Sequence, residues 1–308
     1  MADRARVLVV GSSNTDMVVK APRIPPPGET VIGGNFIVAA GGKGANQAVA
    51  AALLGADVCF VARLGADSLG DAALSGFTAE GIQTHRIARD PALATGVALI
   101  IVDDNGQNAI AVAPGANMAL SPPDIDAALP ELLAAEIVVA QCECPMETVI
   151  HLARLCATAG KPLLLNPAPA VPIPAELLGA ITILTPNEFE AATILGGERA
   201  DGPLDPECAA AALQARGPRT VIVTLGSEGC AVAHGGRTWR VPARRVAAID
   251  ATAAGDCFTG ALAVALAEGR SLDDAIGFAT TAAAISVTRL GAQPSLPRRS
   301  EVDGQASQ

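Results

Sequence analysis

The chain has 308 residues, 50% of them hydrophobic and 17% charged, which excludes a disordered protein and leaves core enough for one large α/β domain or two ordinary ones. A formal net charge of −10, without clustered Lys or Arg, excludes a nucleic-acid surface. No apolar run approaches bilayer length, so the expectation is a soluble, cytoplasmic protein without membrane contact.

Arg6 to Val10 is a short β-rich run ending at Gly11. The following Ser12 to Asp16 places Asn14 and Asp16 just past a strand's carboxyl end, the edge at which open α/β sheets bind ligands. Amide and carboxylate groups there suit vicinal hydroxyls, although Asn and Asp are also ordinary turn residues. Pro22 to Gly28 is proline-rich, and Thr30 to Val38 alternates as an exposed or half-buried strand does.

Gly41-Gly42-Lys43-Gly44-Ala45-Asn46 opens into a helix-like Gln47 to Leu54, closed by Gly55. Gly44 stands where a Walker A loop needs Ser or Thr, so it is not that loop. Its glycines let a ligand approach the backbone, with Lys43 and Asn46 as polar reach; a plain glycine turn into a helix is the alternative. Between Gly96 and Val112, two β-rich runs flank Asp103-Asp104-Asn105-Gly106, a hairpin signal. With Thr30 to Val38 these runs suggest a small sheet covering the site as a lid.

From Ile137 onward strands alternate with helices: Ile137 to Cys142, Leu163 to Asn166, Ile181 to Leu184 and Val221 to Leu225 against Met146 to Ala159, Asn187 to Leu195, Pro206 to Arg216 and two more beyond Gly255. Near-continuous apolar strands in that alternation predict a mainly parallel sheet covered on both faces. Glu143 follows the first of them, again at the functional edge. Thr185-Pro186-Asn187-Glu188 reads as a capping box, which explains Thr185 and Glu188 and leaves Asn187 and Glu190 free to face phosphates and a hydrated Mg²⁺ or merely solvent. Thr224 to Gly229 turns through two glycines, a weak signal for a nucleotide phosphate.

Ile249 to Gly260 carries the chemistry. Small residues at 253–255 leave peptide N–H groups bare just before the apolar helix Cys257 to Glu268, and such a helix start attracts anions. Asp256 stands there, favoured in its ionised form, where it can take a proton while the N–H groups hold a phosphoryl group. A plain helix cap has the same appearance. Ser271 opens another helix, which Gly291 stops, and the polar ending beyond Pro297 is expected to be loosely held.

Seven cysteines, at 59, 142, 144, 156, 208, 230 and 257, are odd in number and lack metal-ligand spacing, so they read as reduced core residues, and Cys142 with Cys144 makes a poor zinc site. His85, His151 and His234 have no nucleophile beside them and read as structural or surface residues. Aromatic residues are 2% of the chain, too few to stack a flat base, which disfavours a nucleoside substrate.

The ordered set Gly11 to Asp16, Gly41 to Ala48, Thr95 to Ala98, Asn166 to Pro169, Thr185 to Glu188, Ala253 to Asp256 and Gly291 to Ser295 resembles the ribokinase branch of the PfkB carbohydrate kinase family, from Val7 to Pro297. The resemblance implies a ribokinase-like three-layer α/β/α sandwich with a mainly parallel central sheet and a small β lid. Residues 1–14, 41–94 and 114–308 would form the main domain, and 15–40 with 95–113 the lid. It implies ATP-dependent phosphorylation of D-ribose at its 5-hydroxyl, with Asp256 as base and the amides of Ala253, Ala254 and Gly255 as anion hole.

By the same resemblance Asn14, Asp16, Gly42, Lys43, Asn46, Glu143 and Asp256 would contact the sugar. Asn187, Thr224, Gly226, Ser227, Gly229, Gly255 and Thr280 would serve ATP, with Glu190 near Mg²⁺. An activating K⁺ would sit at Asp250, Thr252, Ser286, Arg289, Gly291 and Ser295, mostly on backbone carbonyls. Thr280, Cys257 and Thr259 depart from common family residues, and the C-terminal helix looks curtailed. The alternatives are a kinase for 2-deoxyribose or another pentose, and a non-catalytic sugar or nucleotide sensor. The apolar lid faces suggest a homodimer.

Overall fold

The structure, a computed structural model, describes residues 4–196 and 205–306, so Ser307 and Gln308 of the polar ending and residues 1–3 and 197–204 of the main-domain assignment lie outside the described residues. The strands are β1 (Arg6–Val10), β2 (Asn14–Lys20), β3 (Phe36–Gly41), β4 (Asp57–Gly65), β5 (Ile87–Asp90), β6 (Gly96–Val102), β7 (Asn108–Ala113), β8 (Ile137–Ala140), β9 (Leu163–Leu165), β10 (Ile183–Leu184), β11 (Thr220–Thr224), β12 (Cys230–His234) and β13 (Arg237–Val241). The helices are α1 (Lys43–Leu53), α2 (Ser68–Ala79), α3 (Pro122–Ala127), α4 (Leu129–Ala134), α5 (Met146–Ala159), α6 (Ala175–Ala180), α7 (Glu188–Leu195), α8 (Pro206–Gln214), α9 (Ala254–Ala267), α10 (Leu272–Ser286) and α11 (Arg299–Ala306).

The central sheet runs β13-β12-β11-β10-β9-β8-β1-β4-β5, parallel from β11 to β5, with β12 and β13 added antiparallel at one edge. In β1 the period-2 alternation divides the core: Val7 and Val9 pack with α1, α9 and α10, while Leu8 and Val10 pack with the layer built on α5 and α8. Burial on both faces is why these strands are continuously apolar. Helix α9 is buried from Asp256 to Ala265, as a helix apolar on all sides must be.

A second sheet of four strands, β3-β2-β6-β7, stands apart. It is mixed: β2 pairs antiparallel with β3 and parallel with β6, and the expected hairpin joins β6 to β7. Three expectations are corrected here. Asn14 and Asp16 begin strand β2 and are not turn residues, because Asn14 pairs with both Gly41 and Gly96. The strand expected over Thr30 to Val38 is β3 at Phe36–Gly41, set by its register on β2. The polar ending is helical from Arg299, where Arg299 binds Glu268 and Asp303.

Six cysteines are buried, and burial pushes the thiols of Cys59, Cys142, Cys144, Cys156, Cys230 and Cys257 up to about 12. Cys208 departs from the expectation and is exposed, since α8 turns Ala209, Ala210 and Leu213 inward instead. The three histidines meet Glu131, Asp126 and Thr220. Among the described residues no group of His, Cys, Asp and Glu is placed to cage a metal, and no helix is long and apolar enough to cross a membrane.

Candidate active site

The parallel strands put their carboxyl ends on one edge, where the turn after β1, the residues after β8 and β9, and the starts of α1 and α9 converge. Helix α1 begins at Lys43, earlier than expected, behind an N-cap glycine, Gly42, at φ 88°. A Cβ at Gly42 would lie 2.6 Å from the Asn14 nitrogen, and one at Gly44 2.6 Å from the Ser12 nitrogen. Glycine is therefore required for α1 to press onto the β1–β2 turn. Glu143 fastens the junction: its Oε2 accepts from the Ser12 hydroxyl and from the Lys43 N–H, the latter at 3.0 Å.

Asp256 lies in the first turn of α9 and is 6% exposed. Its Oδ2 accepts from Asn46 Nδ2 and its Oδ1 from Gln47 Nε2, each at 2.9 Å. Gln47 is fixed in turn, its Oε1 accepting from Gln141 Nε2 at 2.7 Å while its Nε2 also reaches Asn166 Oδ1 at 3.2 Å. Burial pushes the Asp256 carboxyl above the usual carboxylate range against the pull of Lys43, Asn46 and Gln47, so the expected preference for the ionised form at a helix start is overridden. A raised carboxylate is the stronger base.

Of the three expected anion-hole amides, Ala254 N–H is taken by Ala251 O at 3.2 Å, whereas no carbonyl takes up those of Ala253, Gly255 or Asp256 among the described residues. Ala253 holds φ 59°, the left-handed region that costs a non-glycine residue about 1 kcal/mol or more. That kink turns the chain into α9 and leaves these donors bare.

Lys43 is the positive centre of the site. Burial alone would lower its ammonium, but Asp256, Glu143, Glu190 and Asp16 around it outweigh that and hold it above the ordinary lysine value. Asp16 is pushed up to about 6 by burial and then by the Glu143 and Asp256 carboxylates. As pH falls through about 6, Asp16 takes a proton and ceases to be an acceptor only, so a ligand hydroxyl that donates to it, as the resemblance implies for the sugar, is expected to bind more weakly from pH 7 to pH 5. Folding runs the other way: a carboxyl raised above its unfolded value stabilises fully below about 3.8 and loses that contribution as pH rises through about 6. Sugar titrations by calorimetry from pH 5 to 8 check this, and Asp16→Asn should abolish the pH dependence.

Beside Gly255 opens a cavity of about 590 Å³, lined by Thr224, Gly226, Ser227, Gly229 and Thr280 among others, which brings six of the seven expected nucleotide residues together. The seventh, Asn187, joins through its bridge to Thr224. A larger cavity of about 630 Å³ shares Thr280 with it but lies against Arg270, Asp273 and Asp303, away from Asp256. Among the described residues Phe258 is the one aromatic side chain lining the smaller cavity, whose walls are otherwise small or aliphatic apart from Arg244 and Arg245.

The capping box at α7 is corrected by two residues. Asn187, not Thr185, is the N-cap, and it exchanges hydrogen bonds of 2.8 Å with Glu190. Glu190 Oε1 accepts from Asn187 Nδ2 at 3.0 Å, so each carboxylate oxygen has one protein donor and capacity for another. That donor set fits a Mg²⁺ held through water and phosphate.

Of the expected K⁺ residues, the structure joins Asp250 to Thr252 (2.9 and 2.6 Å) and to Gly291 N–H (2.8 Å). Burial alone would raise Asp250, and these bonds outweigh it and hold the carboxyl below its ordinary value. The hydroxyls of Ser286 and Ser295 donate to Ala283 O and Ala292 O, and Arg289 pairs with Glu301. Asp250 Oδ2 accepts one bond and keeps capacity for another, so this loop offers a cation that oxygen together with its backbone carbonyls.

Gln47, Gln141, Ser12 and Asn117 also belong to the site and were not singled out from sequence. For Gln47 a signal exists: a Gln directly after Asn46 in an otherwise alanine-rich helix has to find a polar partner if buried. Asn117, in the turn Gly115–Ala119, carries no local signal.

A profile described as pfkB family carbohydrate kinase matches residues 4–299. The chain is 42% identical over 298 residues to a ribokinase of Haemophilus influenzae, covering 97% of each chain. It is 36% identical to a deoxyribokinase of Salmonella typhi, covering 94% of this chain and 95% of that one. A solved structure of Arabidopsis thaliana ribokinase, complexed with ribose and ATP, superposes with TM-score 0.88 at 35% identity over 98% of each chain.

Proposed function

The chain belongs to the pfkB family of carbohydrate kinases, and on that premise we propose that it transfers the γ-phosphoryl group of ATP to the 5-hydroxyl of D-ribose. One observation carries the reading: Asp256, buried and oriented by Asn46 and Gln47, sits between the polar cluster around Lys43 and the cavity beside Gly255. A sugar hydroxyl on one side and a phosphate on the other would meet at that carboxylate.

Asp256 accepts the hydroxyl proton, and the N–H groups at the start of α9 receive the phosphoryl oxygens. Asn14, Asp16, Gly42, Lys43, Asn46 and Glu143 hold the sugar. Thr224 to Gly229, Asn187 and Thr280 hold the nucleotide. Glu190 holds hydrated Mg²⁺, which neutralises phosphate charge, and carbonyls of the Asp250–Gly291 loop hold K⁺. Seven free cysteines support a cytoplasmic location, where thiols stay reduced.

Asn14, Asp16 and Glu143 together favour a hydroxyl-rich sugar, because polar groups left unpaired by a ligand that lacks an oxygen weaken its binding. A coupled assay with ATP across pentoses, with and without K⁺, tests the reading. Ribose should turn over best, and equal or better turnover of 2-deoxyribose would overturn the choice. A silent sensor would have no use for an oriented base.

The small sheet favours a homodimer. Ile37, Ile110 and Val112 are exposed on the face that carries Asp16, and Phe36, Val38 and Leu99 on the other. Sedimentation at micromolar concentration should give a dimer that Ile110→Asp converts to monomer. A wild-type monomer there would refute this part.

A further inference from the structure

Asn117 is 2% exposed, and both polar atoms of its amide are committed. Its Oδ1 accepts from the Ser13 N–H at 2.9 Å, and its Nδ2 donates to Ser13 O at 3.2 Å and to Asn14 Oδ1 at 2.8 Å. A peptide N–H only donates, so the Ser13 contact fixes which amide atom of Asn117 is oxygen. The other atom must be nitrogen, and the Asn14 atom receiving from it must be oxygen. The orientation of the Asn14 amide is thereby dictated from outside the sugar site, and its Nδ2 has no partner among the described residues.

The surroundings are built for this pair. A Cβ at Gly96 would lie 2.1 Å from Asn14 Oδ1 and 2.4 Å from Asn117 Nδ2, so the two amides occupy the space a side chain there would need. Asn14 and Asp16 lie on the same face of β2, two residues apart. The face therefore offers a donor from Asn14 next to an acceptor from Asp16, a pairing that suits neighbouring hydroxyls.

We propose that Asn117 is a positioning residue for sugar selection: by holding the Asn14 oxygen, it obliges Asn14 to offer an N–H donor to a substrate hydroxyl, and so favours a pentose with an oxygen there over one that lacks it. The inference rests on the ribose reading above. Loss of the lock leaves Asn14 free to rotate, which costs sugar binding and leaves the phosphoryl-transfer end of the site alone.

Two variants and a double-mutant cycle test it. Asn117→Ala should raise the KM for ribose about tenfold, the worth of one hydrogen bond, with kcat within about twofold and the KM for ATP unchanged. The preference for ribose over 2-deoxyribose should shrink by the same factor. Asn117→Asp, nearly isosteric, still accepts from the Ser13 N–H but turns a second acceptor toward Asn14, flipping its amide so that oxygen faces the sugar; the ribose KM should rise further, with thermal stability lowered by the buried charge and by the Ser13 carbonyl losing its donor. In an Asn14→Ala background, Asn117→Ala should change the ribose KM less than about twofold. An equal effect of Asn117→Ala in both backgrounds, an unchanged ribose KM in Asn117→Asp, or a matching rise in the KM for ATP would overturn the inference. Whether the unaltered protein phosphorylates ribose tests the underlying reading separately; if another pentose is the substrate, the same cycle is read on that pentose.

Discussion

Asp256→Asn is expected to lower turnover about 10²- to 10⁴-fold, the usual scale for loss of a general base, with ribose affinity within a few-fold of wild type. Kinetics in the presence of ATP, alongside ribose calorimetry, separate the two effects. The fold should survive for a reason visible in the site. Gln47 is held by Gln141 and keeps donating to the side-chain oxygen of residue 256, while Asn46, whose Oδ1 meets only Gln293, at 3.4 Å, among the described residues, can turn its amide to accept from the new N–H₂. Removing a buried charge also relieves the burial that raises Asp256 in the wild type, so thermal stability should not fall. Turnover within threefold of wild type would take Asp256 out of the chemistry and the kinase mechanism with it.

How far the site was legible from sequence follows from the range of the interactions that build it. Strand β1 and helix α5 were legible to the residue, because their burial patterns repeat at the periods of strand and helix within a few residues. Asn14 and Asp16 at the start of β2 were not, since their strand pairing comes from distant segments: Asn14 pairs with Gly41 and Gly96, 27 and 82 positions further along, and Asp16 with Ala39 and Ala98. The α7 cap slipped because Thr185-Pro186 imitates a helix start, and the selection of Asn187 depends on Glu190 turning back to it. Asp256 was located from its small neighbours, but its raised carboxyl was not, because burial comes from helices elsewhere in the chain. The motif residues Asn46 and Lys43 were visible as reach into a site; that Gln47 orients Asp256 from the same turn needed the 209-residue jump to α9.

Gly260→Leu is expected to damage stability and turnover together, because the proposed base Asp256 and the amides of Asn46 and Gln47 that orient it ride on helices that touch at this glycine. A Cβ at 260 would stand 2.8 Å from Ala50 Cβ and 2.8 Å from Gln47 O, and neither a backbone carbonyl nor an alanine can step aside. Helix α1 must therefore move off α9, at an overpacking cost of about 1–3 kcal/mol. For a chain of this size each kcal/mol lowers Tm by about 2–4 °C. The displacement carries Asn46 and Gln47 away from Asp256, and a shift of about 1 Å in a reacting group can cost about 10²-fold in rate. Gly277→Ala is the control: it lies exposed on α10, a Cβ there meets nothing within 4 Å, and replacing a mid-helix glycine should stabilise by about 0.5–1 kcal/mol with turnover unchanged. Calorimetric melting and steady-state kinetics on both variants decide the matter. Loss of stability in Gly260→Leu without loss of turnover would mean that the α1–α9 spacing does not set the geometry of the base, and that the amide pair follows Asp256 wherever the helix goes.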